Sequence, residues 1–267
     1  MTETSSASNV ALDQRNAAFW DELCGSAMAR DLGIGAVSVE SLTRFDAAYF
    51  DFYPYLEAYI PERVDGVRLL EIGLGYGTVS AELVRRGADF HGVDIAGGPV
   101  EMVRQRLRLA GVQGEGERVV QGSALALPHS EASFDRLYTI GCLHHTGDIP
   151  GAVNEIRRVL RPGGIAVVML YHRHSFRQLV KVALPTLLRR QRTTEQVAAL
   201  YDTNQEGEAA PHVEYVSRRD VRRIFADFSE VDIDVRNFDT TRFIKRDWVL
   251  GNVDRLLGLD LYITARK

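Results

Sequence analysis

The sequence predicts an α/β fold in which a seven-stranded, mostly parallel sheet carries helices on both faces. Short apolar runs alternate with helical patterns between Val67 and Leu170, which is typical of βαβ units. A glycine-rich turn joins the first apolar run to the first helix. The alternation stops near Ser175 and resumes at Ser217, so an insertion interrupts an otherwise regular pattern.

Each strand is predicted from a short apolar stretch bounded by turn residues. The seven stretches are residues 67–72, 90–93, 118–121, 134–140, 165–170, 231–235 and 260–264. Helices are predicted between them over residues 78–86, 99–109, 149–160 and 217–225. Asp148 is placed to cap the third helix, and Ser217 with Asp220 fits a capping box. Residues 162–164, Pro-Gly-Gly, predict a turn.

Two segments lie outside the alternating pattern and predict a helical cover. Residues 1–60 form an N-terminal helical lid, with helices expected over residues 11–30 and 41–60 and an end at Pro61. Residues 61–267 form the main domain, with the insertion over residues 175–214. Pro185 is expected to kink or end the insertion helix, because proline removes one hydrogen-bond donor.

The composition favours a globular protein and argues against two classes of partner. The chain has 267 residues, 45% of them hydrophobic and 25% charged, enough for one large domain with a cap. A net charge of −4 disfavours binding to nucleic acid, which needs a basic surface. No apolar run reaches the length of a membrane span, and the first residues lack the apolar segment of a signal peptide. A cytoplasmic location is therefore expected.

The glycine turn and a later carboxylate predict a site for an adenosine-type ligand. Gly73, Gly75 and Gly77 follow the acidic Glu71, and they let the backbone turn sharply and approach a ligand closely. The helix behind them directs its N-terminal N–H groups into the crevice. Asp94 ends the second strand, where a carboxylate can accept both ribose hydroxyls. These residues do not say which adenosine-type ligand binds.

The spacing of the glycines resembles motif I of class I S-adenosylmethionine-dependent methyltransferases, E/D-x-G-x-G-x-G, whereas a dinucleotide-binding turn has G-x-G-x-x-G. Further landmarks follow in that family's order. They are GSALALP at residues 122–128, SFD at 133–135 and RVLRPGG at 158–164. The resemblance covers residues 67–170. In this region the sequence is similar to small-molecule methyltransferases of the UbiE-like, methyltransferase type 11 kind. It implies a Rossmann-like sheet with an antiparallel last strand and S-adenosylmethionine as the cofactor.

The resemblance also implies roles for individual residues. Gly73 and Gly75 approach the methionine part of the cofactor, and Asp94 holds the ribose. The remaining cofactor-binding residues are Glu71 before the glycines, Ile95, Ser123 and Ala124 around the adenine, and Ile140 and Gly141 beside the methionine part. Ser123 departs from the family, which often has Asp there, so its contact with the adenine amino group is weaker.

The loop after the fourth strand supplies the catalytic candidates. It faces the methyl group in this family, and a histidine there suits proton removal near neutral pH. His145 matches the histidine of a Glu-His pair in many relatives, and His144 stands at the position of the Glu. No metal is expected, because that carboxylate is missing. A base is needed only where the nucleophile is protonated, and a structural role for His145 remains open. His172 and His174, after the fifth strand, are expected on one side of an extended chain, as substrate contacts or in a solvated turn.

The substrate is expected to be a small, hydrophobic or aromatic molecule, such as a quinone or a natural-product scaffold, because the cover is rich in aromatic residues. The sequence leaves open whether O, N or C is methylated. The insertion helix is either a solvated cap or a surface that faces lipid. Two other functions remain: a nicotinamide-dependent oxidoreductase, and a methyltransferase fold that binds its cofactor without catalysis. Glycine spacing and an antiparallel last strand separate the oxidoreductase from a methyltransferase.

Overall fold

Seven strands form one sheet in the order β3-β2-β1-β4-β5-β7-β6. The computed structural model describes residues 2–22, 26–34, 37–187, 192–238 and 254–267. The strands are β1 Arg68–Ile72, β2 Asp89–Asp94, β3 Val119–Gln121, β4 Phe134–Ile140, β5 Leu160–Tyr171, β6 Glu230–Arg236 and β7 Asp260–Arg266. Strands β1 to β5 pair in parallel. They are runs of apolar residues because helices cover both faces of the sheet.

The order of the strands creates a crevice at the carboxyl edge of the sheet. β1 lies between β2 and β4, so the chain winds outward in one direction from β1 and in the other from β4. Loops that follow β1 and β4 therefore leave toward opposite faces, and ligands of open α/β sheets bind between such loops. β7 is inserted between β5 and β6 and is antiparallel to both, as the resemblance implied.

The predicted turn at residues 162–164 lies inside β5 rather than before it. Phe134 pairs with Leu160 and Arg136 pairs with Ile165, so three extra residues of β5 are accommodated between these two pairs. Gly163 has φ +77° there, a conformation that few side chains tolerate. The helix predicted to reach residue 160 ends at Val159, and the strand begins immediately after it.

Helices cover both faces of the sheet. Consecutive residues Leu69 and Leu70 of β1 are fully buried in two different clusters, because side chains alternate along a strand. The helices beside the sheet are α4 Thr78–Arg85, α5 Gly97–Leu109, α6 Glu115–Arg118, α7 Ile149–Val159 and α10 Arg218–Ile224. The predicted caps are present: Asp148 accepts the Gly151 N–H at 2.9 Å, and a capping box opens α10.

The N-terminal helices differ from the prediction in their bounds. The structure has α1 at Thr2–Trp20, α2 at Ser26–Asp31 and α3 at Val39–Phe52, where two longer helices were predicted. α3 ends at Phe52 because Pro54 disfavours helical backbone at Tyr53, which precedes it. A short 3₁₀ turn, Leu56–Tyr59, then leads into the sheet.

The insertion holds three short helical segments. A π-helical turn over Gln178–Ala183 runs directly into α8, Leu184–Leu187, and α9 follows at Thr194–Ala198. Pro185 was expected to kink or end the helix, and it does not end it, since helical backbone continues to Leu187. Pro185 follows the π-helical turn, whose i→i+5 hydrogen bonds interrupt the regular α-helical pattern just before it. The last helix is α11, Asp254–Leu257. None of the described helices is both long and apolar enough to cross a membrane.

Candidate active site

One cavity of about 620 Å³ opens at the carboxyl edge of β1, β2, β4 and β5. Its walls come from the loops after these strands, from α1 and α3, and from the insertion. All nine residues predicted to bind the cofactor line it: Glu71, Gly73, Gly75, Asp94, Ile95, Ser123, Ala124, Ile140 and Gly141. The sequence pattern therefore selected residues that the fold brings together.

The glycine turn after β1 adopts a conformation that side chains would prevent. Gly73, Gly75 and Gly77 have φ values of +80°, +51° and +76°. A Cβ on Gly73 would lie 2.5 Å from the Cβ of Cys142, so the loops after β1 and β4 are in direct contact. This close approach leaves the backbone of the turn exposed to the cavity, with the N-terminus of α4 behind it.

Asp94 presents a buried carboxylate at the end of β2. Its side chain accepts the N–H of Leu74 at 2.7 Å and that of Ala96 at 2.9 Å, one on each oxygen. Burial raises the pKa of Asp94, while these backbone hydrogen bonds oppose the rise. Each carboxylate oxygen has a second lone pair, so Asp94 can still accept two hydroxyl groups from a ligand.

Glu71 is a second buried carboxyl group in the same crevice. It is 3% exposed, and the hydroxyl of Ser80 donates to its Oε2. Burial raises the pKa of Glu71 to about 8, and the negative charge of Asp94 adds to the rise. Glu71 is therefore mainly protonated at neutral pH, and only one of the two neighbouring carboxyl groups needs to carry a charge.

The remaining residues of the crevice suit the base of a nucleoside. Ile95 and Ala124 supply apolar surface, and the hydroxyl of Ser123 accepts the N–H of Leu125 at 3.2 Å and can also contact a ligand. A buried carboxylate with open lone pairs lies beside a glycine turn in which a Cβ on Gly73 would clash. These features fit an adenosine-type cofactor.

A buried ion pair that the sequence analysis missed fixes α3 against the glycine turn. The two terminal nitrogens of Arg106 contact Asp46 of α3 at 2.8 and 2.9 Å, and Nε donates to the carbonyl of Tyr76 at 2.7 Å. Thr78 donates to Asp46 at 2.7 Å, and the ring of Phe45 stacks on that of Tyr76 at 4.1 Å. An arginine on the apolar face of α5 was the signal that could have revealed this pair.

His145 lies on the wall of the cavity and is 4% exposed. Its Nδ1 is 2.6 Å from the carbonyl of His212, and a carbonyl only accepts, so Nδ1 carries the proton. The neutral ring therefore keeps a lone pair on Nε2. Burial lowers the pKa of His145, which favours this neutral form near pH 7. Asn16 of α1 donates to the His145 carbonyl at 2.8 Å and holds the loop in place.

Asp202 of the insertion faces His145 across the cavity, although nothing in the sequence analysis pointed to it. Its Oδ2 lies 3.8 Å from Nε2 of His145. The hydroxyl of Tyr171, at the end of β5, donates to both carboxylate oxygens at 3.1 and 3.0 Å. Burial raises the pKa of Asp202, and the neighbouring His145 and Tyr171 oppose the rise.

The other histidines lie elsewhere. His144 is fully buried, does not line the cavity, and packs 3.9 Å from the ring of Tyr171. His172 is buried with its Nδ1 3.0 Å from the carbonyl of Gly258. His174 is exposed, because the chain turns at residues 173–174 instead of remaining extended. Of the two alternatives for His172 and His174, a shared contact with substrate is therefore wrong, and residues 173–174 form the turn. Within the described parts of the chain, no cluster of three metal-ligating side chains occurs.

Comparison with known proteins matches the region that contains this crevice. Residues 70–168 match the family described as "Methyltransferase domain". Methyltransferase GfsG of Streptomyces halstedii is 36% identical over 109 residues, which are 39% of this chain and 38% of that protein. The ubiquinone/menaquinone biosynthesis C-methyltransferase UbiE of Paracoccus denitrificans is 36% identical over 127 residues, 42% of this chain and 50% of that protein. The chain thus spans half or less of the length of these curated relatives.

The fold is also similar to that of a methyltransferase of known structure. A crystal structure of an S-adenosylmethionine-dependent methyltransferase from Mesorhizobium loti superposes with a TM-score of 0.55 at 20% identity, covering 80% of this chain and 97% of that one. The family match, the glycine spacing and the antiparallel β7 all argue against the oxidoreductase alternative. Residues 70–168 therefore match a methyltransferase domain, and the fold around them is the one seen in the Mesorhizobium loti structure.

Proposed function

We propose that the protein transfers a methyl group from S-adenosylmethionine to a small, hydrophobic or aromatic molecule of the quinone or natural-product type. The observation that carries the proposal is that one cavity joins the predicted cofactor residues to His145 and to aromatic side chains of the cover. The Paracoccus denitrificans relative is named for ubiquinone and menaquinone biosynthesis, which supports this class of substrate.

In this proposal Asp94 holds the ribose, Ile95 and Ala124 contact the adenine, and the glycine turn lies along the methionine part. The cofactor supplies a methyl group already activated by a positively charged sulfur. The chain then has three tasks: to hold the acceptor molecule in line, to exclude water, and to remove a proton where the acceptor carries one.

His145 is proposed as the group that removes this proton. Its Nδ1–H is fixed by the His212 carbonyl, and its Nε2 is buried with no hydrogen-bond partner among the described residues. Burial lowers the pKa of His145, so the ring is ready to accept a proton at neutral pH. A positive charge gained at Nε2 would face the carboxylate of Asp202.

We also propose that the N-terminal helices and the insertion together form the substrate lid. Asn16 and Trp20 of α1, Phe52 of α3 and Tyr201 of the insertion line the same cavity as the glycine turn. A chain that lacks residues 1–30 should keep the sheet, because its seven strands all lie after residue 67, but should lose methyl transfer. Circular dichroism and a turnover assay check this, and full activity of the truncated chain would exclude a lid role.

Binding and turnover test the proposal separately. Calorimetry should show binding of S-adenosylhomocysteine and none of NAD. A screen with tritium-labelled S-adenosylmethionine over quinones, phenols and natural-product scaffolds should then identify labelled products. Binding without any labelled product would favour the catalytically inactive alternative, and binding of NAD in place of S-adenosylhomocysteine would refute the proposal.

A further inference from the structure

Two hydrogen-bond acceptors face each other inside the cavity. Nε2 of His145 and Oδ2 of Asp202 are 3.8 Å apart. Nε2 carries a lone pair, because Nδ1 donates to the His212 carbonyl, and it has no hydrogen-bond partner among the described residues. Asp202 accepts from Tyr171, as a carboxylate does. With no proton between them, a lone pair and a carboxylate at this distance repel each other.

A ligand atom with two N–H or O–H bonds would relieve this repulsion. Two hydrogen bonds of about 2.8 Å that meet at roughly 85° span a gap of 3.8 Å, which is within reach of one atom with slightly bent hydrogen bonds. A hydroxyl group has one hydrogen and can donate to His145 or to Asp202, but not to both. An amine has two or three and can donate to both at once.

The surroundings of the gap also suit a cationic nitrogen. The ring of Trp20 lies 4.8 Å from that of His145, and Tyr171 and Tyr201 line the same cavity. Aromatic faces attract cations. Asp13 and Asp260 also line the cavity, so acidic groups outnumber basic ones on its wall. A basic residue, Arg177, lines the cavity as well. Its guanidinium lies 4.5 Å from the centre of the Tyr201 ring and donates to the Leu200 carbonyl at 3.0 Å.

Further titratable groups lie near His145. The ring of His144 is 4.3 Å away on the same loop. His212 contributes its carbonyl to Nδ1, and its own Nε2 is 3.0 Å from Glu214. Because Glu214 is paired with His212, Asp202 is the carboxylate that faces Nε2 of His145.

We infer that the gap between Nε2 of His145 and the carboxylate of Asp202 is the subsite for the acceptor atom of the substrate, and that this acceptor is an amine. The inference rests on the proposed function and narrows its substrates to natural-product scaffolds that carry an amine nitrogen, which excludes quinones. An ammonium group bound there passes one proton to Nε2 of His145. This leaves a neutral amine with a free lone pair and an imidazolium that faces Asp202. Asp202 accepts a second N–H and orients the nitrogen.

The test compares two probes that differ in the acceptor atom. 2-Phenylethylamine and 2-phenylethanol are titrated calorimetrically into protein saturated with S-adenosylhomocysteine, and the ¹⁵N shifts of His145 are followed by NMR. The amine should bind roughly tenfold or more tightly than the alcohol, as expected for a charge-assisted hydrogen bond. The amine should shift the Nε2 resonance of His145 in the direction that accepting a hydrogen bond produces.

Substitution of the carboxylate supplies the decisive comparison. Asp202→Asn keeps an oxygen for the Tyr171 hydroxyl but loses the charge, so the preference for the amine should disappear while S-adenosylhomocysteine still binds. Asp232→Asn, on an exposed residue of β6 outside the cavity, should retain the preference. The inference is overturned if the amine fails to bind in the millimolar range, binds no tighter than the alcohol, or keeps its preference in Asp202→Asn. If the unmodified protein does not bind S-adenosylhomocysteine, the proposed function itself is refuted.

Discussion

Asp94 carries most of the proposed recognition of the cofactor, because it is the buried carboxylate whose remaining lone pairs face the crevice. Its two hydrogen bonds to Leu74 and Ala96 come from the loop after β1 and from its own strand end. The carboxylate is therefore fixed before a ligand arrives, so little conformational entropy is lost on binding.

Asp94→Ala should weaken the binding of S-adenosylhomocysteine by about 1–3 kcal/mol, the cost of removing charge-assisted hydrogen bonds. Isothermal titration calorimetry measures the change, and thermal unfolding shows whether the variant still folds. Asp232→Ala, on the exposed edge strand, is the matched control and should bind normally. Unchanged affinity in a folded Asp94→Ala variant would remove Asp94 from the proposed site.

His145→Gln should lower kcat on an accepted substrate by roughly a hundredfold or more, as loss of a positioned base does, while S-adenosylhomocysteine binding stays normal. Burial lowers the pKa of His145, so activity should fall at acidic pH, where the ring becomes protonated. That acidic limb should be absent from the variant. His174→Gln, on an exposed residue outside the cavity, should behave like the unmodified protein. A wild-type kcat in His145→Gln would show that alignment alone drives the reaction.

At the scale of secondary-structure elements, α3 connects the cover to the cofactor crevice. Asp46 links α3 to Arg106 of α5 and to Thr78 at the start of α4, and Arg106 also holds the carbonyl of Tyr76 in the glycine turn. Movement of α3 would therefore disturb the turn itself. The lid and the cofactor site are expected to be mechanically coupled through this one carboxylate.

Asp46→Ala should lower the free energy of unfolding by about 2–4 kcal/mol, because the side chain of Arg106 is 4% exposed and would be left without its partner. The affinity for S-adenosylhomocysteine should fall as well, since the glycine turn loses a support. Urea unfolding and calorimetry measure the two effects. Glu230→Ala breaks an exposed pair with Arg266 and should change neither much. Equal effects of the two substitutions would contradict the coupling.

At the scale of the whole molecule, sequence patterns predicted those features of the fold that depend on residues close together in the chain. The strands, the glycine turn and the caps at Asp148 and Ser217 follow from residues within a few positions of each other, and the structure has them. The partners that complete the site are far apart in the sequence. Asp202 is 57 positions from His145 (202 − 145), and Asp46 is 60 positions from Arg106. The sequence predicts that the second helix ends at Pro61, whereas α3 ends at Phe52 because Pro54 follows so soon after it.

Buried titratable groups also give the whole molecule a defined dependence of stability on pH. Burial lowers the pKa of His91 to about 4 and lowers those of His129, His144, His145 and His172. Below the unfolded value of 6.5, the unfolded chain therefore binds more protons than the folded one, and stability falls as the pH falls.

Glu71 acts in the opposite direction, because its pKa rises from 4.5 to about 8 on folding. The folded state retains this proton, so stability falls as the pH rises from 4.5 to 8. The raised pKa values of Asp94 and Asp202 have the same sign.

Stability should therefore be highest between pH 6.5 and 8, where most unfolded histidines have lost their protons and Glu71 still keeps its own. Glu71→Gln preserves an oxygen for the Ser80 hydroxyl but removes the titration, so the decline toward pH 8 should become shallower, while the acidic decline should remain. Urea unfolding at a series of pH values measures both limbs. An unmodified protein whose stability does not decline toward pH 8, or a Glu71→Gln variant with the same decline, would mean that Glu71 is ionised in the folded state. The crevice would then hold two neighbouring negative charges in place of one.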